Sequence, residues 1–439
     1  MSNELGKQDT PRYLRVYNYY KELIMSGQLQ AGTKLPSIRK GAEQLEISRT
    51  TMEASYQILM AEGYIESRPQ SGYYVTNIAK RAIRISDSHM ENQRQEKVKY
   101  DFRTANVDKE SFKFDLWRRY MKSALRQDDR LFSYGEPQGE YEFREVLCEY
   151  LRENRNVICT PQQIVIGAGI QSLLHIICPL LKKRENVFFQ NPEFQQGKAV
   201  FEDYGYCIAT DMKQDGIIYV SPSHMGEYGG VLSVGERFKM IEAAREKNVL
   251  IIEDDYNNEF SYFQHQVPSI QGLTGGQNVI YMGTFSKMLL PSIRMSFMVL
   301  PLELLNEYEV RKHFYNQTAS KAEQIAITQF IRDGHLSRQI RKSRKIHLSK
   351  AAEFKVLVES IFPYAESVQV DESGFFIILK MYSKLKTKYL EKKAADRGVL
   401  IQAYNKEEQH LTILLQCTNM SYEKNKEGLR VLKECLEEF

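Results

Sequence analysis

Apolar positions recur at helical spacing over residues 12–26 (RYLRVYNYYKELIMS), where Leu14, Tyr17, Tyr20, Leu23 and Ile24 share a face and Gly27 supplies a stop. After AGTKL, Pro36 at a first helical position opens a second helix, PSIRKGAEQL, with Ile38, Ala42 and Leu45 on one face. Ser48 is a good N-cap, and SRTTMEASYQILMAEG continues as a third helix with core face Met52, Tyr56 and Leu59. The pattern then changes to strand-like alternation on either side of a Pro-Gln-Ser-Gly turn in GYIESRPQSGYYVT, which predicts a hairpin. Two short helices joined by a tight turn and followed by a hairpin describe a winged helix-turn-helix over residues 1–77.

Residues 78–100 are polar, mixed in charge and without glycine, and read as a linker. From Asp101 to residue 439 apolar runs alternate with amphipathic helices: QIVIGAG then IQSLLHIICPLLKK, NVFFQ, GIIYVSP, ERFKMIEAAREK then NVLIIEDD, and NVIYMGT. Such alternation predicts an α/β fold with a mostly parallel sheet covered on both faces. From about Gln317, helices followed by SGFFIILK and HLTILLQC predict a smaller α/β subdomain.

Composition narrows the class. The 439 residues are 42% hydrophobic and 26% charged, ordinary globular values that exclude a disordered or fibrous chain. No run approaches the roughly 18 apolar residues of a membrane span, and the N-terminus lacks a signal-peptide layout, so a cytoplasmic location is expected. The six cysteines are scattered without a CxxC pair, which predicts reduced packing residues and no metal site. Residues 1–100 carry 15 Lys+Arg against 11 Asp+Glu, so the whole net charge of +4 lies in the first segment. That asymmetry suits an acidic partner or a solvated surface equally.

A helix-turn-helix lays the start of its second helix in the major groove of DNA, here Ser48, Arg49, Thr50 and Thr51. Lys34, Ser37 and Arg39 would meet phosphates, and Ser71, Gly72 and Tyr73 form the wing tip. Periodicity alone leaves a generic oligomerisation or adaptor module equally open. In the second domain the strand ends are chemically loaded. Asp254, Asp255 and Tyr256 follow VLIIE, Ser286 and Lys287 follow NVIYMGT, with Arg294 seven residues on, and QIVIGAG opens a helix N-terminus suited to an anion. A carboxylate, a phenol, a lysine and an arginine around such a terminus suit pyridoxal phosphate, whose aldehyde condenses with an amine and whose ring nitrogen needs an acidic partner. Taken singly, Lys287 reads as a surface lysine and the aspartates as a solvated strand end.

The run from Tyr13 to Thr76 resembles the winged helix of the GntR family of bacterial transcription regulators, in LPSIR, SRTT, LMAEGY and SGYYV in that order. The segments YGEPQGEYEFREVLCEYL, IVIGAGIQSLL, NPEFQ, YVSPSH, VLIIEDDYNNEF and YMGTFSKMLLPSIRMSFMVLP resemble the aminotransferase-like domain of MocR (GabR-type) regulators, a fold-type I domain behind a GntR winged helix. By that resemblance Lys287 is the Schiff-base lysine of pyridoxal 5′-phosphate, Asp254 meets the pyridine nitrogen and Tyr256 the ring hydroxyl. Thr284, Arg294 and the backbone of Gly169, Ile170 and Gln171 meet the phosphate, Phe194 stacks on the ring, and His224 lies beside it. Tyr134 reaches the phosphate across a homodimer interface.

The sequence also departs from that family pattern. ILLQCT stands where such domains read LRLGFA, which puts Leu414 at the position of the arginine that grips a substrate carboxylate. Gly226 and Glu227 replace an aromatic and a proline after YVSPSH, Gly374-Phe375-Phe376 replaces GLH, and Phe194 stands where tyrosine is common. Cofactor anchoring is retained while the amino-acid pocket is rebuilt. The expected protein is a regulator that binds double-stranded operator DNA and senses pyridoxal phosphate itself or a small amine, an acidic group being met by Lys198 or Arg311. A catalytically active aminotransferase is the alternative.

Overall fold

In the computed structural model the chain forms two compact units, Met1–Gln95 and Glu96–Phe439. The structure describes residues 11–77, 98–103, 110–191, 194–223, 231–256, 267–286, 288–371, 376–405, 409–416 and 420–437.

The first unit contains α1 (Arg12–Met25), α2 (Ile38–Gln44), α3 (Arg49–Ala61) and an antiparallel hairpin of β1 (Ile65–Arg68) and β2 (Gly72–Val75). Met52, Tyr56 and Leu59 are wholly buried, and Ser48 caps α3 by accepting from the Thr51 N–H, as their spacing predicts. Two expectations need correction. Along α1 the buried arc is Val16, Tyr17, Tyr20 and Ile24, with Leu14 and Leu23 only partly covered, and Tyr20 packs edge-on against Tyr56 of α3. Ser37 caps α2 by accepting from the Lys40 N–H, so Pro36 precedes the cap and is not the first helical residue.

The second unit is built on a seven-stranded sheet of order β4-β10-β9-β8-β7-β5-β6. Its strands are β4 (Ile164–Gly167), β5 (Asn186–Phe189), β6 (Cys207–Ala209), β7 (Ile217–Val220), β8 (Leu250–Asp254), β9 (Val279–Thr284) and β10 (Ser296–Val299). Pairing is parallel except around β10, which runs antiparallel to both neighbours. Alternate residues feed two cores: Ile164, Ile166, Phe297 and Val299 join one, while Val165, Ile280, Met282 and Met298 join the other. Helices therefore cover both faces, and ligands of such sheets sit at the strands' carboxyl ends.

A four-stranded antiparallel sheet forms the smaller subdomain, with β11 (Ser367–Val370), β12 (Phe376–Tyr382), β15 (His410–Gln416) and β14 (Gln402–Tyr404) in that order. Leu411, Ile413 and Leu415 pack with Phe354, Val358, Leu429 and Leu432 from the helices His335–Ile361 and Tyr422–Glu437. β3 (Tyr100–Asp101) pairs in parallel with β13 (Val399–Leu400), so Tyr100, read as the linker's last residue, belongs to the second unit. A two-residue pairing has no periodicity to reveal it. Residues 78–97 of that linker lie outside the described residues. Among the described residues no helix is long and apolar enough to cross a membrane, and no cluster of His, Cys, Asp and Glu is arranged to hold a metal ion.

Candidate functional site

Each unit presents a distinct constellation. On the first, Ser48, Arg49 and Thr50 are exposed at the start of α3, and the Ser48 hydroxyl lies 2.9 Å from that of Thr50 and 2.8 Å from that of Thr51. These contacts hold the polar end of the helix in one shape. Arg39 pairs with Glu43 at 3.3 Å on the exposed side of α2. Lys34 bridges to Tyr74 on β2, and its ammonium lies 5.8 Å from that ring's centroid. The Arg68 guanidinium lies 4.4 Å from the same centroid, and the Ser71 hydroxyl is 2.7 Å from the Tyr74 hydroxyl. The Ser71 hydrogen bond and the two cations hold the Tyr74 phenol below its ordinary pKa. Gly72 adopts φ +109°, which lets the hairpin turn beside Lys34.

Tyr73 differs from expectation. Its ring packs edge-on against Tyr56, with centroids 4.9 Å apart, because strand alternation sends it inward and Tyr74 outward. The wing's basic and aromatic surface is thus Lys34, Arg68, Ser71 and Tyr74.

On the second unit, strand register assembles the site. Gly167 on β4 faces Ser296 on β10, which faces Thr284 on β9, while Met282 on β9 faces Asp254 on β8. The carboxyl ends of β4, β9 and β8 therefore lie side by side. Beyond β4, Gly169 takes φ +99° and caps the helix Ile170–Ile177, whose first N–H groups have no partner within the helix. A Cβ on Gly169 would lie 2.8 Å from Nη2 of Arg294, so the guanidinium lies directly over the helix entrance. The turn that brings Arg294 back is tied at several points. The Ser286 N–H donates to Thr284 Oγ1 at 3.2 Å, the Ser286 hydroxyl donates to the Ile293 carbonyl at 2.9 Å, and the Phe285 N–H donates to the Met295 carbonyl at 2.9 Å.

The two adjacent aspartates have opposite electrostatics. Asp255 is 2% exposed and accepts from Arg155 Nε at 2.7 Å, from the Tyr281 hydroxyl at 2.7 Å and from the Ser223 hydroxyl at 2.8 Å. Burial alone would raise its pKa, but the Arg155 charge and these donors hold it below the usual carboxylate value. Asp254 accepts from the Tyr219 hydroxyl at 2.5 Å, and its Oδ1 is buried without a partner among the described residues. Burial pushes this carboxyl up to about 7. A buried carboxylate oxygen with no donor suits a cationic N–H, as a protonated pyridine supplies. The half-buried Phe194 tilts against Tyr219 with centroids 5.3 Å apart, and Tyr256, also half-buried, follows Asp254 directly.

Asp254, Thr284, Arg294 and Gly169 thus converge, and Ile170, Gln171, Phe194 and Tyr256 border them. Tyr134 is fully exposed, 103% relative to the free residue, and turns away from its own chain. Lys287, His224, Gly226, Glu227, Gly374 and Phe375 lie outside the described residues. Lys198 lies 6.0 Å from the Phe189 centroid, whereas Arg311 lines a separate surface cleft with Pro179, Leu180 and Lys183. Leu414 is buried on β15 between Ile378 and Gln402, on the face opposite the helix-packed Ile413 and Leu415. The residues that sequence reasoning missed are Arg155, whose pairing with Asp255 spans 100 positions, and Tyr219, which looked like plain strand.

These two constellations on these two folds define a DNA-binding regulator fused to an aminotransferase-type domain. Residues 12–75 match the model of "Bacterial regulatory proteins, gntR family", and residues 104–432 match that of "Aminotransferase class I and II", a pyridoxal-phosphate-binding family. The chain is 35% identical to the HTH-type transcriptional regulator YdeL of Bacillus subtilis (strain 168), over 97% of this chain and 96% of that one. It is 26% identical to the probable rhizopine catabolism regulatory protein MocR of Rhizobium meliloti, over 89% and 86% respectively. An archaeal alanine:glyoxylate aminotransferase superposes with a TM-score of 0.67 at 20% identity, covering 77% of this chain and 91% of that one, a likeness of fold. The chain belongs to the gntR family of bacterial regulators, in the MocR-type branch that carries an aminotransferase class I and II domain.

Proposed function

We propose that the chain is a pyridoxal 5′-phosphate-dependent transcription regulator that holds operator DNA through its first unit and senses a small amine, or the cofactor itself, through its second. The observation that carries this reading is the buried Oδ1 of Asp254 at the carboxyl end of β8, which lacks a donor among the described residues. When bound, the cofactor supplies an aldehyde for amine capture and an electron-withdrawing ring. The chain's own residues have separate tasks. Asp254 accepts the ring N–H, Tyr256 meets the ring hydroxyl, Phe194 covers the ring and Lys287 offers the amine. Thr284, Arg294 and the N–H groups of Gly169, Ile170 and Gln171 hold the phosphate, and Tyr134 of a second copy reaches it in a homodimer.

DNA contacts fall to Ser48, Arg49, Thr50 and Thr51 in the major groove, to Lys34, Ser37 and Arg39 on phosphates, and to Ser71 and Gly72 at the wing, joined by Tyr74. Leu414 favours sensing over turnover. Transamination needs a substrate carboxylate fixed for proton transfer, and a buried leucine leaves it ungripped. The decisive experiment measures operator binding by purified protein with and without cofactor, and with a panel of amines. Operator affinity indifferent to every one of them, in a protein that takes up no pyridoxal phosphate, would overturn the reading.

A further inference from the structure

Tyr134 stands fully exposed on a turn that its own chain holds firmly, and Phe132, 92% exposed, projects from the same turn. Between the two rings Ser133 is gripped by Lys321, whose ammonium donates to the Ser133 hydroxyl at 3.1 Å and to its carbonyl at 3.3 Å. Farther along the turn, Gln317 Nε2 donates to the Pro137 carbonyl at 3.2 Å and to the Ile166 carbonyl of β4 at 3.3 Å. The Ala319 N–H donates to Gln317 Oε1 at 2.8 Å, so turning this half-buried amide over would break every one of these bonds. Gln317 thus pins the Tyr134 turn to the end of β4. The next residue reaches the phosphate side of the cradle, where the Ala168 N–H, one place before Gly169, donates to Thr318 Oγ1 at 2.9 Å. Residues 317–321 therefore form a strap that holds the Tyr134 turn at one end and the turn Gly167–Gly169 at the other.

A ring standing in water gains nothing within its own chain from a rigid mount. Rigidity lowers the ordering cost when a second molecule receives the ring. We propose that Gln317, Thr318 and Lys321 are positioning residues that serve two cofactor sites at once. Thr318 steadies the phosphate turn of its own subunit, while Gln317 and Lys321 aim Tyr134 at the phosphate held by the partner subunit. This deepens the function proposed above and rests on its reading of Tyr134. The strap makes the two cradles of a homodimer interdependent, since a change in residues 317–321 of one subunit reaches a contact of each cradle. Sequence spacing gives no sign of it, because Gln317 lies 180 positions from Pro137 and Thr318 lies 150 from Ala168.

The test titrates full-length dimers, stripped of cofactor, with pyridoxal 5′-phosphate and reads the visible absorbance band. Each dimer is co-expressed from two differently tagged chains and purified through both tags. In the reference dimer a Lys287→Ala subunit, which gives no band, is paired with a wild-type subunit. In the test dimer the Lys287→Ala subunit also carries Gln317→Met. The band then reports the wild-type subunit's cradle alone, where only the borrowed Tyr134 sits on an altered mount. Half-saturation is expected to rise at least about fivefold in the test dimer. Equal half-saturation in the two dimers overturns the proposal.

Tyr134→Phe in place of Gln317→Met should give a similar rise, and the two together should do no more than either alone. Additive losses would make Gln317 a merely structural residue and overturn its role. Thr318→Val, placed in the subunit that gives the band, should also raise half-saturation, whereas Thr318→Ser, which keeps the hydroxyl, should restore it. Equal values for valine and serine overturn the part given to Thr318. A wild-type protein that takes up no pyridoxal phosphate overturns the function proposed above and this inference with it. One that binds it, but is indifferent to Gln317→Met in the partner, overturns this inference alone.

Discussion

Gly169 and Arg294 approach so closely that one methyl group would fill the space between them: a Cβ on the glycine would stand 2.8 Å from the guanidinium. The glycine also holds φ +99°, a conformation costly for any other residue. Gly169→Ala should therefore destabilise the protein by roughly 1–3 kcal/mol and push Arg294 off the helix entrance. Thermal denaturation measures the first effect. A loss of pyridoxal phosphate affinity greater than the stability loss explains measures the second.

Asp254 gives a pH signature. Its folded-state pKa of about 7 exceeds the ordinary 3.8, so between those values the folded state binds the proton that the unfolded chain releases. Its contribution is fully present below pH 3.8 and is lost as pH rises through 7, amounting to roughly 4 kcal/mol across the window. In protein stripped of cofactor, Asp254→Asn should flatten the decline of stability from pH 4 to 7 relative to wild type. Parallel urea-denaturation profiles for the two proteins would refute the assignment.

Lys287 is the proposed anchor of the cofactor. Purified protein should be yellow, borohydride should fix the cofactor's mass on the peptide that contains Lys287, and Lys287→Ala should be colourless. An unchanged spectrum in that variant would sink the assignment.

For DNA, Arg49→Ala should cost roughly 1–3 kcal/mol if its guanidinium reads a base edge, and operator affinity should fall steeply with salt. Tyr74 and Tyr73 separate surface from core at the wing. Tyr74→Phe should weaken DNA binding with little change in stability, whereas Tyr73→Ala should lower the thermal midpoint through the lost Tyr56 contact. Gel-shift titration together with calorimetry distinguishes the two.

Leu414 bears on the effector. A buried carboxylate without a partner costs several kcal/mol, so ordinary α-amino acids should bind weakly and amines better. Leu414→Arg should raise affinity for α-amino acids, read by spectral titration. Tight amino-acid binding by the wild type, lost on neutralising one arginine elsewhere, would show that the clamp had merely moved.

Much of this architecture is legible in the chain because its signals are local. Met52, Tyr56 and Leu59 mark α3 by spacing, and VLIIED announces a buried strand ending in carboxylates. What escaped is non-local. β10 is four residues buried on both faces, so it has no alternation, and its antiparallel direction depends on β4 and β9. Cys148 and Cys159, scattered in sequence, lie with sulfurs 3.5 Å apart, and Arg155 meets Asp255 only in three dimensions. Such pairs leave no trace in spacing.

The antiparallel β10 carries a consequence for how the protein comes into being. Because Gly167 and Ser296 are cross-strand neighbours, the cradle cannot close until about 130 further residues have followed β4 out of the ribosome. The winged helix needs only residues 11–77 and local contacts, so it folds early in synthesis. A nascent chain would thus complete its winged helix before its cofactor cradle. Under the function proposed above, completion of the sheet is what would first place the DNA-binding unit under control.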